Sequence, residues 1–440
     1  MAHYDLIIRN GLVYLPWGRV ETSLGLRGGR IANLNVSVRD EADEVIDAHG
    51  LHVLPGLVDA HVHLREPGKE EAETIATGTE AAALGGIATV LEMPNTNPPV
   101  VDDATLAWQR QRIAETAHVD VGIYVGATHQ NTPELARLEQ APGVCGVKVF
   151  AGSSTGTLMV ADDAGIEAVL RSGHRRVSFH AEDEERLRER RGHFHPGQPY
   201  GCHAQWRDPE CALRATKRIA ALARKTGRPV HILHVSTEEE TAFLAGERAL
   251  VSTEVLASHL TLTGPECYER LGGRAVVNPP LRDQRHAEAL WKAIRCGLID
   301  VVSSDHAPHE AALKNKPWLE CPSGLTGVQT LLPVMLNHVN MGRLSMQRLV
   351  DLMATGPARL YGMATKGRIA LGQDADFTLV DLGRSWRIED SWIASPAGWT
   401  PYDGMVVRGA PIATIVRGQV VMQDGALRTP NRGSVVRFLP

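Results

Sequence analysis

Apolar runs separated by turn residues divide the chain into two similar ends and a different middle. In the N-terminal region, short strands are predicted between glycines at 5–8, 12–14, 24–27, 31–36 and 44–47. The C-terminal region has the same pattern, with strands predicted at 376–381, 405–407, 412–416 and 419–422. Two β-rich ends around a different middle predict a small β-sandwich domain built from both termini.

The middle of the chain alternates apolar strands with helical patterns. Its strand candidates are 56–64, 87–93, 119–127, 146–150, 177–180, 230–235, 250–256 and 298–304. Two of the predicted helices, at 70–84 and 209–226, end at glycines, which are common helix stops. Eight such strands over about 300 residues predict a (β/α)8 barrel of the TIM type. An open doubly wound sheet is the alternative, but the sequence lacks its glycine-rich phosphate loop.

These patterns predict the domain organisation. Residues 1–54 would form the N-terminal part of the small β-domain, 55–365 the barrel, and 366–440 the C-terminal part of the β-domain. The 440 residues include 46 Lys and Arg against 51 Asp and Glu, so the net charge is −5. A weakly negative chain has no general attraction for nucleic acid or anionic lipid. We therefore expect a small-molecule substrate, and neither nucleic acid nor membrane as a partner.

Cysteine usage and the N-terminal sequence indicate the compartment. The 6 cysteines are scattered and include no Cys-x-x-Cys pair, a pattern typical of reduced thiols. The first residues lack the basic start, long apolar stretch and cleavage site of a signal peptide. No apolar run approaches the roughly 20 residues that a membrane-spanning helix needs. We predict a cytoplasmic protein.

Histidines stand at the ends of several predicted barrel strands. His61 and His63 alternate along the first strand, so they share a face and can bind one metal ion. Alone, this short motif is equally consistent with two ordinary histidines. However, the fifth, sixth and eighth strands end near His180, His234 and Asp305. Because the C-terminal ends of barrel strands meet at one mouth, these side chains predict a metal-dependent active site.

Lys148 lies between two valines in the apolar fourth strand. A buried ammonium is costly unless it is paired or neutralised, and burial makes the amine nucleophilic. Such an amine can form a Schiff base, or take up CO2 to become a carbamate that bridges two cations. Beside several histidines the carbamate fits better, although an ammonium paired with an acid is the alternative. The set predicts a two-metal hydrolase site that suits zinc, with cobalt or manganese as substitutes.

Longer motifs identify a family. Residues 53–63, Val-Leu-Pro-Gly-Leu-Val-Asp-Ala-His-Val-His, resemble the opening signature of the amidohydrolase superfamily. Further motifs resemble those of dihydroorotases: Arg-Glu-Pro-Gly at 65–68, Met-Pro-Asn-Thr at 93–96, Asn-Pro-Pro-Leu-Arg at 278–282 and Asp-His-Ala-Pro-His at 305–309. The resemblance runs almost end to end, since 366–376 resembles the family's return into its small β-domain.

The resemblance implies the metal ligands and the cofactor. One metal would be bound by His61, His63 and Asp305. The other would be bound by His180 and His234, and carboxylated Lys148 would bridge the two. The implied cofactor is two Zn2+ per subunit. Asp305 would also act as the catalytic acid and base.

The resemblance also implies the substrate-binding residues. Arg65, Asn95 and His309 would hold the carboxylate of dihydroorotate, and Asn278 would contact the pyrimidine ring. The alternative for Arg65 is a structural ion pair with Glu66 or Glu70, and the alternative for Asn95 is turn formation beside prolines. The family further implies a homo-oligomer, a dimer or larger.

The implied activity is the reversible hydrolysis of (S)-dihydroorotate to N-carbamoyl-L-aspartate in pyrimidine biosynthesis. Allantoinases and hydantoinases or dihydropyrimidinases share the scaffold, but their substrates lack that carboxylate, so Arg65 and Asn95 favour dihydroorotase. A non-catalytic structural partner is the rival from another class. It is disfavoured because all six predicted metal ligands are present.

Three features depart from the family pattern or fall outside it. Ser258 replaces a histidine found in many relatives, and we expect it to lie outside the metal site. The loop 152–156 after Lys148 is a variant. The segment 200–209, which contains Trp206, is a candidate cover for the barrel mouth, whereas packing of Trp206 on a neighbouring subunit is the alternative.

Overall fold

A computed structural model describes residues 2–154, 158–428 and 430–439. Thr155 and Gly156 of the variant loop lie outside the described residues. The strands of the described residues are β1 His3–Leu15, β2 Gly18–Arg27, β3 Arg30–Asn33, β4 Glu41–Asp47, β5 His52–Pro55, β6 Leu57–Val62, β7 Ile87–Glu92, β8 Asp120–Gly126, β9 Val144–Phe150, β10 Val177–His180, β11 Val230–Ile232, β12 Val251–Leu256, β13 Val301–Ser303, β14 Phe377–Arg387, β15 Val406–Val416, β16 Gln419–Gln423 and β17 Ala426–Leu427.

Helices occupy most of the segments between the barrel strands. The α-helices are α1 Ile75–Leu84, α2 Asp103–Thr116, α3 Leu135–Leu138, α4 Asp163–Arg171, α5 Glu184–Arg191, α6 Cys202–Trp206, α7 Pro209–Thr226, α8 Glu238–Leu244, α9 Ala257–Thr261, α10 Glu266–Leu271, α11 Gln284–Arg295, α12 Ala311–Lys314, α13 Leu331–Asn340, α14 Met346–Val350 and α15 Gly356–Tyr361. No helix among the described residues is long and apolar enough to cross a membrane.

The strands β6 to β13 form a parallel barrel in chain order. A parallel bridge between Val62 and His306, with a 2.7 Å hydrogen bond from the His63 amide to the His306 carbonyl, brings the two edge strands together. Every residue of these strands is buried, as expected of a parallel sheet covered by helices on its outer face. The predicted TIM-type barrel is confirmed.

The other strands form a separate sheet from both ends of the chain, in the order β17-β16-β15-β14-β5-β1-β2-β3, with β4 paired to β1. Its two halves join where β5 pairs antiparallel with β14. Leu6, Ile8 and Leu24 from the N-terminal half share one hydrophobic core with Phe377 and Ile415 from the C-terminal half. The predicted small β-domain from both termini is therefore confirmed, while its exact boundaries stay a prediction.

Some element boundaries differ from the prediction. The two strands predicted at 5–8 and 12–14 are one strand, β1, which continues through an irregularity between Ile8 and Gly11 where Asn10 has a φ of 58°. Likewise, β15 joins the strands predicted at 405–407 and 412–416. The helix predicted from residue 70 begins at Ile75, because Thr74 caps it with its side chain.

A buried ion cluster connects the barrel to the β-domain. The ammonium of Lys366 lies 2.7 Å from Asp120 Oδ2, at the start of β8, and 2.5 Å from Asp376 Oδ2, which immediately precedes β14. Burial lowers the pKa of Lys366, but the surrounding carboxylates outweigh it and raise that pKa above its usual range. The cluster thus holds the sheet against the end of the barrel opposite the strand C-termini.

Candidate active site

The predicted metal ligands converge at the C-terminal ends of the barrel strands. His61 and Lys148 lie within β6 and β9, His180 ends β10, and His234 and Asp305 follow β11 and β13 by two residues. These residues, with His63, are at most 6% exposed. Together with neighbouring residues they line one small cavity, formed by His61, His63, Lys148, Phe150, Ser154, His180, His234, Val277, Asn278, Asp305, Ala307, Ser323 and Gly324.

His61, His63 and Asp305 form a cluster whose ligand atoms all lie within 4.8 Å of one another. Asp305 Oδ1 is 3.2 Å from Nε2 of His61 and 3.1 Å from Nε2 of His63. Their other ring nitrogens meet oxygen acceptors, since Nδ1 of His61 is 2.9 Å from Glu254 Oε1 and Nδ1 of His63 is 2.6 Å from Asn95 Oδ1.

This hydrogen bonding tests whether a cation fits the first cluster. An acceptor at each Nδ1 keeps the proton there, so each Nε2 directs a lone pair toward the same carboxylate oxygen. Two such nitrogens and a carboxylate at these distances need a positive charge between them, which either a proton or a divalent cation can supply. Buried acceptors behind the ligands are also the usual support of metal-binding histidines. The donor set therefore fits a divalent metal.

A second donor pair lies across the cavity. Nδ1 of His180 is 2.9 Å from Nε2 of His234, and Nε2 of His180 is 2.8 Å from Glu182 Oε2. Glu182 is also paired with Arg207. Although burial raises the pKa of Glu182, Arg207 and His180 outweigh it and lower that pKa to about 2. The ionised Glu182 keeps the proton of His180 on Nε2, so Nδ1 presents its lone pair to the cavity.

Lys148 lies beside these histidines, with its ammonium 4.6 Å from the centre of the Phe150 ring. Burial lowers the pKa of Lys148 to about 7, against the attraction of Asp305 and Glu254. A much larger fraction of such an amine than of an ordinary lysine is uncharged at neutral pH, and only the uncharged amine reacts with CO2. The environment therefore suits the predicted carbamate.

Electrostatics keep the remaining groups in their metal-binding forms. Burial opposes ionisation of Asp305, but His61 and His63 hold the pKa of this carboxyl well below its usual range. Burial lowers the pKa of His63 to about 4 and that of His234 well below its usual value. Neutral imidazoles and an ionised carboxylate are the forms that ligate metals.

The backbone is strained at three predicted site residues. Arg65, His234 and Asp305 have φ values of 63°, 39° and 49°, in the left-handed region that residues other than glycine rarely adopt. Each such residue costs of the order of 1–3 kcal/mol, and strain of this kind clusters at functional sites. These residues follow the ends of their strands, and the left-handed backbone conformation there sets the direction in which each side chain leaves the chain.

The residues predicted to bind a substrate carboxylate lie beside the metal cluster. Arg65 is buried, its Nε donates to the Pro308 carbonyl at 3.0 Å, and its Nη2 is 3.2 Å from His309 Nε2. The alternative ion pair between Arg65 and Glu66 is not formed, because Glu66 pairs with Arg112. Asn95 contacts His63, so it also orients a metal-binding candidate. Asn278 lines the cavity directly.

Sequence reasoning gave no role to the two acids behind the histidines. Glu254 lies within β12 and is fully buried, and Glu182 follows His180 by two residues. An acidic residue inside a strand that is predicted to be buried is the signal that could have found Glu254. Ser258, the departure from the family pattern, is buried in α9. In the candidate cover segment 200–209, Trp206 donates from its Nε1 to the Leu187 carbonyl, and the role of the segment as a cover stays a prediction.

Comparisons with known proteins agree with this geometry. The model of the amidohydrolase family matches residues 52–421. An allantoinase of Deinococcus radiodurans is 34% identical over 98% of both chains, and a dihydroorotase of Pyrococcus abyssi is 34% identical over 96% of both. The solved structure of an L-hydantoinase (dihydropyrimidinase) from Arthrobacter aurescens superposes with a TM-score of 0.93 at 29% identity, covering 98% of this chain and 99% of that one. The chain therefore belongs to the amidohydrolase family and is a hydrolase.

Proposed function

We propose that this hydrolase opens the ring of a cyclic amide, and that its substrate is (S)-dihydroorotate, converted reversibly to N-carbamoyl-L-aspartate. The observation that carries the choice of substrate is the buried Arg65–His309 pair beside the metal-ligand cluster. The guanidinium is held by a backbone carbonyl and an imidazole, and among the described residues it forms no direct ion pair, although Glu92, Asp305 and Glu73 attract it from nearby. Such a group suits a carboxylate brought by a ligand.

Two divalent cations, proposed to be Zn2+, would be held by two ligand groups. His61, His63 and Asp305 would hold one, and His180 and His234 the other, with carboxylated Lys148 between them. When bound, such cations polarise the amide carbonyl and make a water molecule more acidic.

The protein's own groups would position the substrate and move the proton. Arg65, His309 and Asn95 would hold the carboxylate, so that the ring amide lies over the histidine cluster. Asp305, ionised and directed into the cavity, would accept the proton of the attacking water and deliver it to the amide nitrogen as the C–N bond breaks. The same transfers in reverse close the ring.

Two other cyclic amides are supported by the relatives. The allantoinase relative is as similar in sequence as the dihydroorotases, and the hydantoinase structure covers nearly the whole fold. The homo-oligomer and the cytoplasmic location stay predictions.

The test is turnover by the purified, zinc-supplemented protein of L-dihydroorotate, allantoin, dihydrouracil and hydantoin at equal concentration. We expect hydrolysis of dihydroorotate in clear preference to the others. Preferred turnover of allantoin, dihydrouracil or hydantoin would be consistent with the proposed metal site but would contradict dihydroorotate as the substrate. If the metal-loaded protein hydrolyses none of the four compounds, that result would favour the alternative that this chain is a non-catalytic structural partner.

A further inference from the structure

Three loops at the barrel mouth join in a chain of hydrogen bonds that ends at the cavity wall. Trp318, in the loop after β13, donates from its indole Nε1 to Nδ1 of His203 at 3.3 Å. His203, in α6, has its Nε2 3.0 Å from the Val277 carbonyl and 2.9 Å from Asn278 Oδ1. Trp318 and His203 are only 2% and 3% exposed, so water does not compete for these bonds.

We propose that Trp318 and His203 fix the amide of Asn278 so that its NH2 group faces the cavity and donates to an oxygen of the substrate. His203 and Trp318 are then positioning residues, and Asn278 is the group that touches the ligand. The inference deepens the proposed function and rests on it for the identity of the ligand.

The tautomer of His203 is fixed from both sides. An indole N–H can only donate, so Nδ1 of His203 must accept. A backbone carbonyl can only accept, so Nε2 of His203 must carry the hydrogen. An imidazolium would place a second N–H against the indole, and burial together with Arg207 lowers the pKa of His203 to about 3. His203 is therefore neutral, with its proton on Nε2.

The tautomer then decides the orientation of Asn278. Nε2–H of His203, which also faces the Val277 carbonyl, lies 2.9 Å from the Asn278 amide, where an NH2 group would oppose it donor to donor. It therefore selects the carbonyl oxygen of the amide and turns Nδ2 to the other side. There Nδ2 lies 3.5 Å from Ser154 Oγ, and both residues line the cavity with the candidate metal ligands. That wall of the cavity thus offers a donor, which suits the carbonyl oxygen of a cyclic amide and not its N–H.

The first arm of the test is the protonation of His203, and it needs no substrate. In metal-loaded protein with 15N-labelled histidine, the His203 signals would be assigned by their loss in His203→Gln. We expect a protonated Nε2 and an unprotonated Nδ1 from pH 8 to pH 5, although ordinary imidazoles take up a second proton near pH 6.5. A proton on Nδ1, or an imidazolium within this range, would overturn the proposal.

The second arm is a double-mutant cycle between His203 and Asn278, read on the cyclic amide that the protein hydrolyses. His203→Phe removes the donor that orients Asn278, and Asn278→Ala removes the oriented group. We expect each single variant to raise KM about tenfold with little change in kcat, as for one hydrogen bond to bound substrate. In protein that already carries Asn278→Ala, adding His203→Phe should raise KM little further. His203→Gln, whose amide can donate in place of Nε2, should recover most of the loss.

Trp206→Phe is the matched control for the loop. It removes an indole N–H from the same aromatic cluster, one that bonds to Leu187 and not to His203. Normal metal content and thermal midpoint would establish that each variant is folded. Equal losses from His203→Phe in both backgrounds would assign His203 a purely structural part and overturn the proposal. An Nε2–H tautomer with no turnover of any cyclic amide would overturn the proposed function and leave the orientation of Asn278 standing.

Discussion

Three of the four candidate metal-binding imidazoles have a second residue that holds their outer ring nitrogen. Glu254 holds His61, Asn95 holds His63, and Glu182 holds His180. The candidate metal ligands could be identified from the sequence because strand alternation and the meeting of strand ends are local rules. The pairing of His61 with Glu254 was not predictable, since the two residues are 193 positions apart and only the closed barrel brings them together.

We expect Lys148 to determine whether the site binds one metal ion or two. Without a bridging group, the His180–His234 pair offers only two ligands, whereas His61, His63 and Asp305 remain a complete set. We expect Lys148→Met to bind about one Zn2+ per chain where the unaltered protein binds about two, measured by elemental analysis after dialysis. Lys225→Met, at an exposed surface pair, is the control. Two retained ions in Lys148→Met would contradict the bridging role.

Among elements, the barrel strands were the most predictable. Each of the eight apolar runs overlaps a strand of the barrel, because strands buried on both faces leave continuous apolar sequence. Elements at the surface were less predictable. The glycine and asparagine that suggested a turn in the N-terminal region form an irregularity inside β1, since pairing with β2 continues on both sides of it.

The end of α7 was predicted from Gly227 and offers a test at this scale. Gly227 has a φ of 73° and open space around its Cα, so an added methyl meets backbone strain but no clash. We expect Gly227→Ala to destabilise the protein by about 1 kcal/mol, measured by denaturant unfolding. Gly246→Ala, at an exposed glycine without a positive φ, should change stability by less than about 0.5 kcal/mol. Equal effects would contradict the role of Gly227 as a left-handed cap.

Over the whole molecule, the barrel and the β-domain are joined by charges as well as by apolar packing. Composition and periodicity predicted both units, but nothing local indicated that Lys366 would meet Asp120 across 246 positions. The ion cluster lies at the end of the barrel away from the metal site. The closed barrel also brings the candidate metal ligands, which lie on or just after β6, β9, β10, β11 and β13, into one cavity.

Removing the central cation of this cluster should destabilise the whole protein. Lys366→Met leaves Asp120 and Asp376 buried without their main partner, and breaking a buried pair in this way costs about 3–5 kcal/mol. We expect a clearly lower thermal midpoint. Lys225→Met, which breaks an exposed pair with Glu167, should cost less than about 1 kcal/mol. Similar thermal midpoints for the two variants would contradict the stabilising role of the buried ion cluster.

The substrate carboxylate is the point on which the proposed function depends, and Arg65→Ala tests it most directly. The measurement is kcat/KM for dihydroorotate and for dihydrouracil, which has the same ring without the carboxylate, with metal content checked in each protein. We expect Arg65→Ala to lose about ten- to a hundredfold on dihydroorotate, the value of a hydrogen bond to a charged group, and little on dihydrouracil. Equal losses on both substrates, or no loss on dihydroorotate, would contradict the assignment.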